Sequence, residues 1–206
     1  YSGNSAACMS TVTVIDNTLP VAVCHNITIP LDVTGHANII PSQIDNGSSD
    51  ACGIVSMSVM PNTFTCANVG NNTVTLSVTD DNGNISTCNA NVTVVDTIPP
   101  VAICQNIVVQ LDDYGFVTIT GADVGFTSHD ACGISSISVS PDTFTCAEIG
   151  DNTVNVTVTD VNGNISTCSS VVTIEDITAP DAICQNITVY LDPTGNAAIT
   201  PDQIDG

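Results

Sequence analysis

The chain has 206 residues, with 21 Asp and Glu side chains and no Lys or Arg, so its formal net charge at pH 7 is −21. This composition excludes nucleic acid as a partner, because phosphate binding depends on basic side chains, and it disfavours an anionic membrane surface. A disordered acidic tail is excluded as well, since 43% of the residues are apolar and Val, Ile and Thr dominate.

The sequence repeats with a period of 80 residues, as the spacing of Cys8, Cys88 and Cys168 shows. Longer phrases recur at the same offset: SSDACGI at 48–54 matches SHDACGI at 128–134. A fixed period of this length indicates tandem structural units. We expect the tail of one unit at 1–18, full units at 19–98 and 99–178, and the head of another at 179–206.

Within a unit, the segments 21–31, 72–80 and 88–96 alternate between apolar and polar residues, which predicts half-buried β-strands. The segments LDVTG (31–35) and DDNGN (80–84) have the composition of tight turns. No segment predicts a helix longer than a turn. About seven short strands per period predict an all-β fold of tandem immunoglobulin-like β-sandwich repeats, arranged as an elongated rod.

Ten cysteines in a chain of this size indicate an oxidising, extracellular or cell-surface location. In an immunoglobulin-like unit the first and last strands run side by side in the same direction, so Cys24 and Cys88 would lie at the same end. We therefore expect the disulfides Cys24–Cys88, Cys52–Cys66, Cys104–Cys168 and Cys132–Cys146.

The rival pairing crosses the linkers and joins Cys8 to Cys24, Cys88 to Cys104 and Cys168 to Cys184. It requires a reach of roughly 25–30 Å, most of a strand length, unless successive units fold back. An extended chain disfavours it, and Cys8 and Cys184 then have their partners outside this sequence.

Other chemistries of the cysteines find little support. No C-x-x-C spacing occurs, and the histidines His25, His36 and His129 do not recur between units, which argues against zinc and against a cysteine nucleophile. No G-x-S-x-G phrase is present and no catalytic constellation repeats. We expect that the chain is not an enzyme.

Five phrases in order, CHNITIPLDVTG (24–35), SDACGI (49–54), TFTCANVG (63–70), VTDDNGNISTC (78–88) and VVDTIPP (94–100), resemble the hyalin-type (HYR-like) repeat. They are especially similar to the repeat arrays of giant cell-surface adhesins of the Bacteroidetes type. The resemblance covers the whole chain. It implies an immunoglobulin-like fold and an adhesive or spacer role outside the cell.

The immunoglobulin-like layout also brings acidic segments together at each joint, without a basic residue to neutralise them. At ~5 Å and an effective dielectric of ~20, each like-charge pair costs roughly 3 kcal/mol. A hard divalent cation with oxygen ligands removes this repulsion, so we expect Ca²⁺ there. The expected ligands are Asp16, Asp50, Asp80, Asp81, Asn82 and Asn84 at one joint, and Asp96, Asp130, Asp160, Asn162 and Asn164 at the next.

A simpler interpretation remains open, in which D-x-N-G-N is only a hairpin turn and Asp96 only a linker residue. The segment L-D-x-x-G, with Asp32, Asp112 and Asp192, is expected to form turns at the opposite end of each unit.

Three roles follow from the repeats. The first is a structural stalk or filament segment of an extracellular adhesin, with neighbouring repeats of the same chain as partners. In the second, each unit binds a surface glycan or a protein ligand, with avidity from repetition. The third is self-assembly with other copies into a fibre. No hydrophobic run reaches membrane-spanning length, so no direct membrane insertion is expected.

Overall fold

A computed structural model describes residues 2–206. The first half contains six strands and one short helix: β1 Ile27–Pro30, β2 His36–Asn38, α1 Pro41–Ile44, β3 Ile54–Met60, β4 Thr63–Thr65, β5 Gly70–Asp80 and β6 Ile85–Val95. The second half contains β7 Ile107–Gln110, β8 Phe116–Thr118, α2 Gly121–Gly125, β9 Ile134–Ser140, β10 Thr143–Thr145, β11 Gly150–Asp160 and β12 Ile165–Glu175, and α3 Pro201–Ile204 follows.

The 80-residue sequence period is also the period of the strands, since β1 and β7 begin at Ile27 and Ile107, and β6 and β12 begin at Ile85 and Ile165. Each half forms a four-stranded sheet, in the orders β1-β6-β5-β3 and β7-β12-β11-β9, and a two-stranded sheet, β2-β4 or β8-β10. The protein is therefore all-β, with two sandwich-like pairs of sheets. The domain boundaries themselves remain a prediction.

Alternation along β5 and β6 builds the first core. Val74, Leu76 and Val78 of β5 are fully buried, and β6 contributes Val92 and Val94. Side chains at alternate positions share one face of a strand, so these residues meet the two-stranded sheet on the same side. Phe64 of β4 is 1% exposed and closes this core, as Phe144 closes the corresponding core of the second half.

One predicted strand is shorter than expected, and each half has six strands rather than about seven. Alternation over 21–31 becomes a regular strand only at Ile27–Pro30, where β1 pairs in parallel with β6. Upstream, Val21 and Cys24 make single bridges to Ser49 and Asp45. The earlier residues therefore pair with the loops around α1, so no second ladder forms there.

No helix among residues 2–206 is long and apolar enough to cross a membrane. The helices α1, α2 and α3 have only four or five residues each, in agreement with the sequence pattern.

Candidate functional site

Two of the expected disulfides are present within the halves of the molecule. Cys24 bonds to Cys88 and Cys104 bonds to Cys168, each with a Cα–Cα distance of 5.9 Å. The reason is the parallel pairing of the first and last strands, which sets Ile27 opposite Val92 and so brings Cys24 to the side of Cys88. The linker-crossing pairing Cys88–Cys104 is thereby excluded.

The other two expected bonds, Cys52–Cys66 and Cys132–Cys146, are wrong. Cys66 bonds instead to Cys132 of the other half, at a Cα–Cα distance of 5.2 Å, and Cys52 and Cys146 are unpaired and exposed. Cys52 lies near Asp80, where β5 ends, whereas Cys66 lies just before Gly70, where β5 begins. An 11-residue strand separates these ends by roughly 35 Å, far beyond disulfide reach.

The Cys66–Cys132 bond adjoins two carboxylates. We call Asp96, Asp130 and Cys132 together the second cluster. One ligand-type atom of each residue lies within 4.8 Å of those of the other two. Asp130 Oδ1 accepts a hydrogen bond from the Cys132 backbone N–H at 2.7 Å, and Asp96 Oδ1 accepts one from Ile98 N–H at 3.0 Å. The linker and the loop before β9 therefore present their carboxylates to the same point.

One oxygen of this cluster has an unusual environment. Asp96 Oδ2 is buried and has no hydrogen-bond partner among the described residues. A buried carboxylate oxygen without a donor is unfavourable, because it has lost its hydration without compensation. This atom therefore indicates that something outside the chain, a water, a proton or a cation, completes its environment.

The first cluster, Asp16, Asp50 and Cys52, repeats this arrangement 80 residues earlier. Asp16 Oδ1 accepts from Thr18 N–H at 2.9 Å, Asp50 Oδ1 accepts from Cys52 N–H at 2.7 Å, and Asp16 Oδ2 is buried without a partner. Hydrogen bonds from Thr18 and from the Cys52 thiol lower the pKa of Asp16 below its usual value. Asp16 is therefore ionised at neutral pH.

Asp80 and Asp160, also expected as ligands, are buried and occupied by their own turns. Asp160 Oδ1 accepts from the backbone N–H groups of Asn162 and Asn164, both at 2.8 Å, and Oδ2 accepts from the Asn164 side chain at 2.8 Å. Burial alone would raise the pKa of Asp160, but these hydrogen bonds outweigh it and lower the pKa. The same balance lowers the pKa of Asp80.

Asn84 and Asn164 connect these turns to the linkers. Asn164 Nδ2 donates to the backbone carbonyl of Asp96 at 3.3 Å, and Asn84 Nδ2 donates to that of Asp16 at 3.1 Å. Each asparagine therefore fixes the linker segment whose aspartate joins the cluster. The turn thus positions the site, and a ligand role for its own residues stays a prediction.

The remaining expected ligands are not members of either cluster. Asp81, Asn82 and Asn162 are exposed, and the contacts of both asparagines are made by backbone N–H groups. Asp81 is replaced by Val161 in the second half, so its carboxylate is not repeated. Of the eleven residues expected to bind calcium, the structure brings the carboxylates of two pairs together: Asp16 with Asp50, and Asp96 with Asp130.

The chemistry of the clusters favours a hard cation over zinc. Cys132 is in a disulfide and offers no thiolate. In the second cluster only oxygen donors are left, and oxygen ligands are what Ca²⁺ and Mg²⁺ prefer. In the first cluster a hydrogen bond to Asp16, followed by the charges of Asp16 and Asp50, raises the pKa of the Cys52 thiol above its usual value.

Comparison with known proteins gives one weak relationship in sequence. The chain is 32% identical over 200 residues to Hyalin of Strongylocentrotus purpuratus, an alignment that covers 89% of this chain and 16% of that protein's length. This homology supports a hyalin-repeat (HYR-like) type of domain. No protein-family model matches the chain.

Solved structures share the all-β character at low similarity. The human Protocadherin-24 EC1-2 structure is 14% identical with a TM-score of 0.39, covering 78% of this chain and 100% of that chain. The fibronectin(III)-like modules of Clostridium thermocellum CbhA are 15% identical with a TM-score of 0.30, covering 82% and 97%. TM-scores this low leave the fold description to the strand order given above.

Proposed function

We propose that this chain is a stalk segment of an extracellular surface adhesin, built from immunoglobulin-like units at 19–98 and 99–178 whose joints are stiffened by Ca²⁺ and by disulfides, and that it has no catalytic role. The observation that carries the proposal is the joint itself. There, a covalent bond between Cys66 and Cys132 adjoins the paired carboxylates of Asp96 and Asp130.

Three disulfides support an oxidising extracellular setting. The homology to Hyalin supports an adhesion-type role, and the Bacteroidetes-type adhesin context rests on the sequence phrases alone. A stalk requires joints that resist bending. Each unit also has a small core of its own and gains stability from links to its neighbour. In this chain a disulfide and a hydrogen bond from Asn164 to the linker both restrain the joint.

The case for Ca²⁺ rests on what the two carboxylates of a cluster lack. The chain has no Lys or Arg to neutralise them, and one oxygen of each linker aspartate is buried without a donor. A bound divalent cation would neutralise the pair and bind that oxygen. Two side chains give an incomplete shell for a cation that takes six to eight oxygens, so water would supply the rest, as in the weak millimolar sites of extracellular modules.

The test is thermal unfolding of the metal-free chain with added CaCl₂. We expect the melting temperature to rise by several degrees at millimolar Ca²⁺, because occupancy at ten times the dissociation constant adds roughly 1.4 kcal/mol. The double variant Asp16→Asn/Asp96→Asn should lose this rise. The matched variant Asp113→Asn/Asp202→Asn removes two exposed carboxylates outside both clusters and should keep it, which controls for net charge.

Two results would contradict the calcium assignment. One is an unchanged melting temperature at 10 mM CaCl₂. The other is an equal rise of the melting temperature in the parent chain and in Asp16→Asn/Asp96→Asn. That result would mean that Ca²⁺ only screens the negative charges of the whole chain.

A further inference from the structure

A cavity of about 720 Å³ lies at the end of the second half, between residues 112–115, Cys146 and the segment formed by Asp176 and residues 178–181. Its walls are the β7–β8 turn, the start of the short 3₁₀ turn after β10, and the linker that follows β12. Cys146 is one of its lining residues, and it is unpaired and exposed.

The same place in the first half is filled. There the corresponding cysteine, Cys66, is bonded to Cys132, which belongs to the loop of residues 130–133. The neighbouring Ala131 approaches the turn so closely that its Cβ is 3.4 Å from where a Cβ on Gly35 would lie. The loop D-A-C-G therefore packs against the turn and linker of the preceding half, and the corresponding turn and linker of the second half line the cavity at Cys146.

Cys146 already has the orientation of the bonded cysteine. Its Sγ lies 3.9 Å from the carbonyl oxygen of Gly115, and the Sγ of Cys66 lies 3.8 Å from that of Gly35. Each Sγ is 2.7 Å from where a Cβ on the respective glycine would lie. The two sulfurs therefore lie in equivalent positions, one with a disulfide partner and one without.

We propose that this cavity is a docking site for the D-A-C-G loop of another unit with the same sequence pattern, whose cysteine forms a disulfide with Cys146. The chain contains one free loop of this kind, at residues 50–53, with the same four-residue sequence as residues 130–133. Its cysteine, Cys52, is exposed and unpaired. Each unit would thus present a cysteine acceptor at one end and a cysteine donor at the other.

The bond requires a two-electron oxidant, which a thiol–disulfide buffer such as oxidised glutathione supplies. The Cys146 thiolate attacks one sulfur of glutathione disulfide and releases one reduced glutathione. The thiolate of the docked loop then displaces the second glutathione, so that two thiols are oxidised and one disulfide is reduced. No group of the chain other than the two cysteines changes its oxidation state.

Docking also brings the aspartate of the loop to Asp176, as Asp130 comes to Asp96 in the existing joint. This part of the inference rests on the proposed stalk function: Ca²⁺ would bind between Asp176 and the aspartate of the docked loop and so strengthen docking. The disulfide itself does not depend on the cation, so the two ideas fail separately.

The test uses the full chain in a buffer of reduced and oxidised glutathione with a synthetic peptide of residues 49–54 (SDACGI), followed by mass mapping of non-reduced fragments. We expect the peptide on Cys146 at least ten-fold more than on Cys8 or Cys184, which are also exposed and unpaired. A control peptide with the same six residues in scrambled order should label Cys8, Cys146 and Cys184 to the same extent.

A pair of glycine variants isolates the cavity. Gly115→Ala places a methyl group against the Cys146 sulfur, at a residue with φ +77°, and should reduce the Cys146 adduct about ten-fold. Gly163→Ala carries the same kind of backbone strain, with φ +93°, in open space, and should leave the adduct unchanged. Equal labelling of Cys146, Cys8 and Cys184 by SDACGI would overturn the proposal, as would a full yield in Gly115→Ala.

The outcome with Ca²⁺ separates the inference from the proposed function. Selective labelling of Cys146 that is indifferent to Ca²⁺ supports the docking site and shows that Ca²⁺ does not strengthen docking at Asp176. A covalent dimer of the chain linked from Cys52 to Cys146 would also support it, with the loop supplied by a second copy.

Discussion

The two aspartate–cysteine clusters have the same residues in the same order, yet their cysteines are in different states. In the first cluster Cys52 is a protonated thiol beside Asp16, whereas in the second cluster Cys132 is bonded to Cys66 of the preceding half. The carboxylate pair and the unpartnered aspartate oxygen are common to both. The comparison shows that the carboxylates assemble without the disulfide, so the two features of the joint are separable.

The largest effect should come from removing the disulfide that distinguishes the clusters. In the double variant Cys66→Ala/Cys132→Ala, we expect the free energy of unfolding to fall by about 4 kcal/mol in the chain-entropy model, because the bond closes a 66-residue loop. Urea unfolding under non-reducing conditions measures this. Cys52→Ser, at an exposed and unpaired position, should leave the midpoint unchanged. An unchanged midpoint in the double variant would mean that the halves unfold independently of the bond.

Asn84 and Asn164, which hydrogen-bond the turn to the linker at the first and second cluster, should contribute equally to the free energy of unfolding. Asn164→Ala leaves Asp160 Oδ2, a buried acceptor, without its side-chain donor, which should lower stability by about 1–3 kcal/mol. Asn84→Ala should match it at Asp80. The exposed Asn162→Ala serves as the control in the same denaturation experiment. A markedly smaller loss for Asn164→Ala than for Asn84→Ala would show that the disulfide at the second cluster, not the turn, determines the linker path there.

Acid should weaken both turns in the same way. The folded pKa values of Asp80 and Asp160 lie below the usual 3.8, so their stabilising contribution is complete above that value and is lost as the pH falls through the lower folded pKa. Urea midpoints measured from pH 6 to pH 2 should therefore drop mainly below about pH 4. Asp80→Asn should flatten the profile, and a profile unchanged by this substitution would contradict the role of the turn.

The smallest effect should be a change in thiol reactivity at the first cluster. Because Asp16 is the main cause of the raised pKa of Cys52, Asp16→Asn should speed alkylation of Cys52 by iodoacetamide a few-fold at pH 8 in EDTA. Asp50→Asn, which removes a weaker influence, should give a smaller increase. Peptide mapping by mass spectrometry measures both rates, and a slower reaction in Asp16→Asn would be contrary to this electrostatic account.

Much of the fold could be predicted from residue order. Alternation through Val74, Leu76 and Val78 matches the buried face of β5, and the direction of the first and last strands explains the Cys24–Cys88 bond. These features are local or follow from one strand pairing. Such short-range regularities are what hydrophobic periodicity reports.

The pairing of Cys66 could not be predicted because it depends on where the chain reverses. The 13 residues between Cys52 and Cys66 look like a short loop in the sequence, but β3 carries the chain along seven residues to the other end of the sheet. The strand IVSMSVM between the two cysteines was the available signal. The composition of DDNGN (80–84) does indicate a turn at Asp80, but nothing in the order of residues indicates that Asp16 keeps a buried oxygen without a donor.

The disulfides have a mechanical consequence. The bonds Cys24–Cys88 and Cys104–Cys168 each close most of one half into a loop, and Cys66–Cys132 joins the two loops. When such a chain is pulled from its ends, force passes through Cys24–Cys88, the short segment from Cys88 to Cys104, and Cys104–Cys168, while Cys66–Cys132 spans that segment as a second, parallel connection. Most residues of both sheets lie off this load path. Even if the hydrogen bonds of the strands ruptured, the molecule would lengthen only slightly, and it could refold when the tension is released.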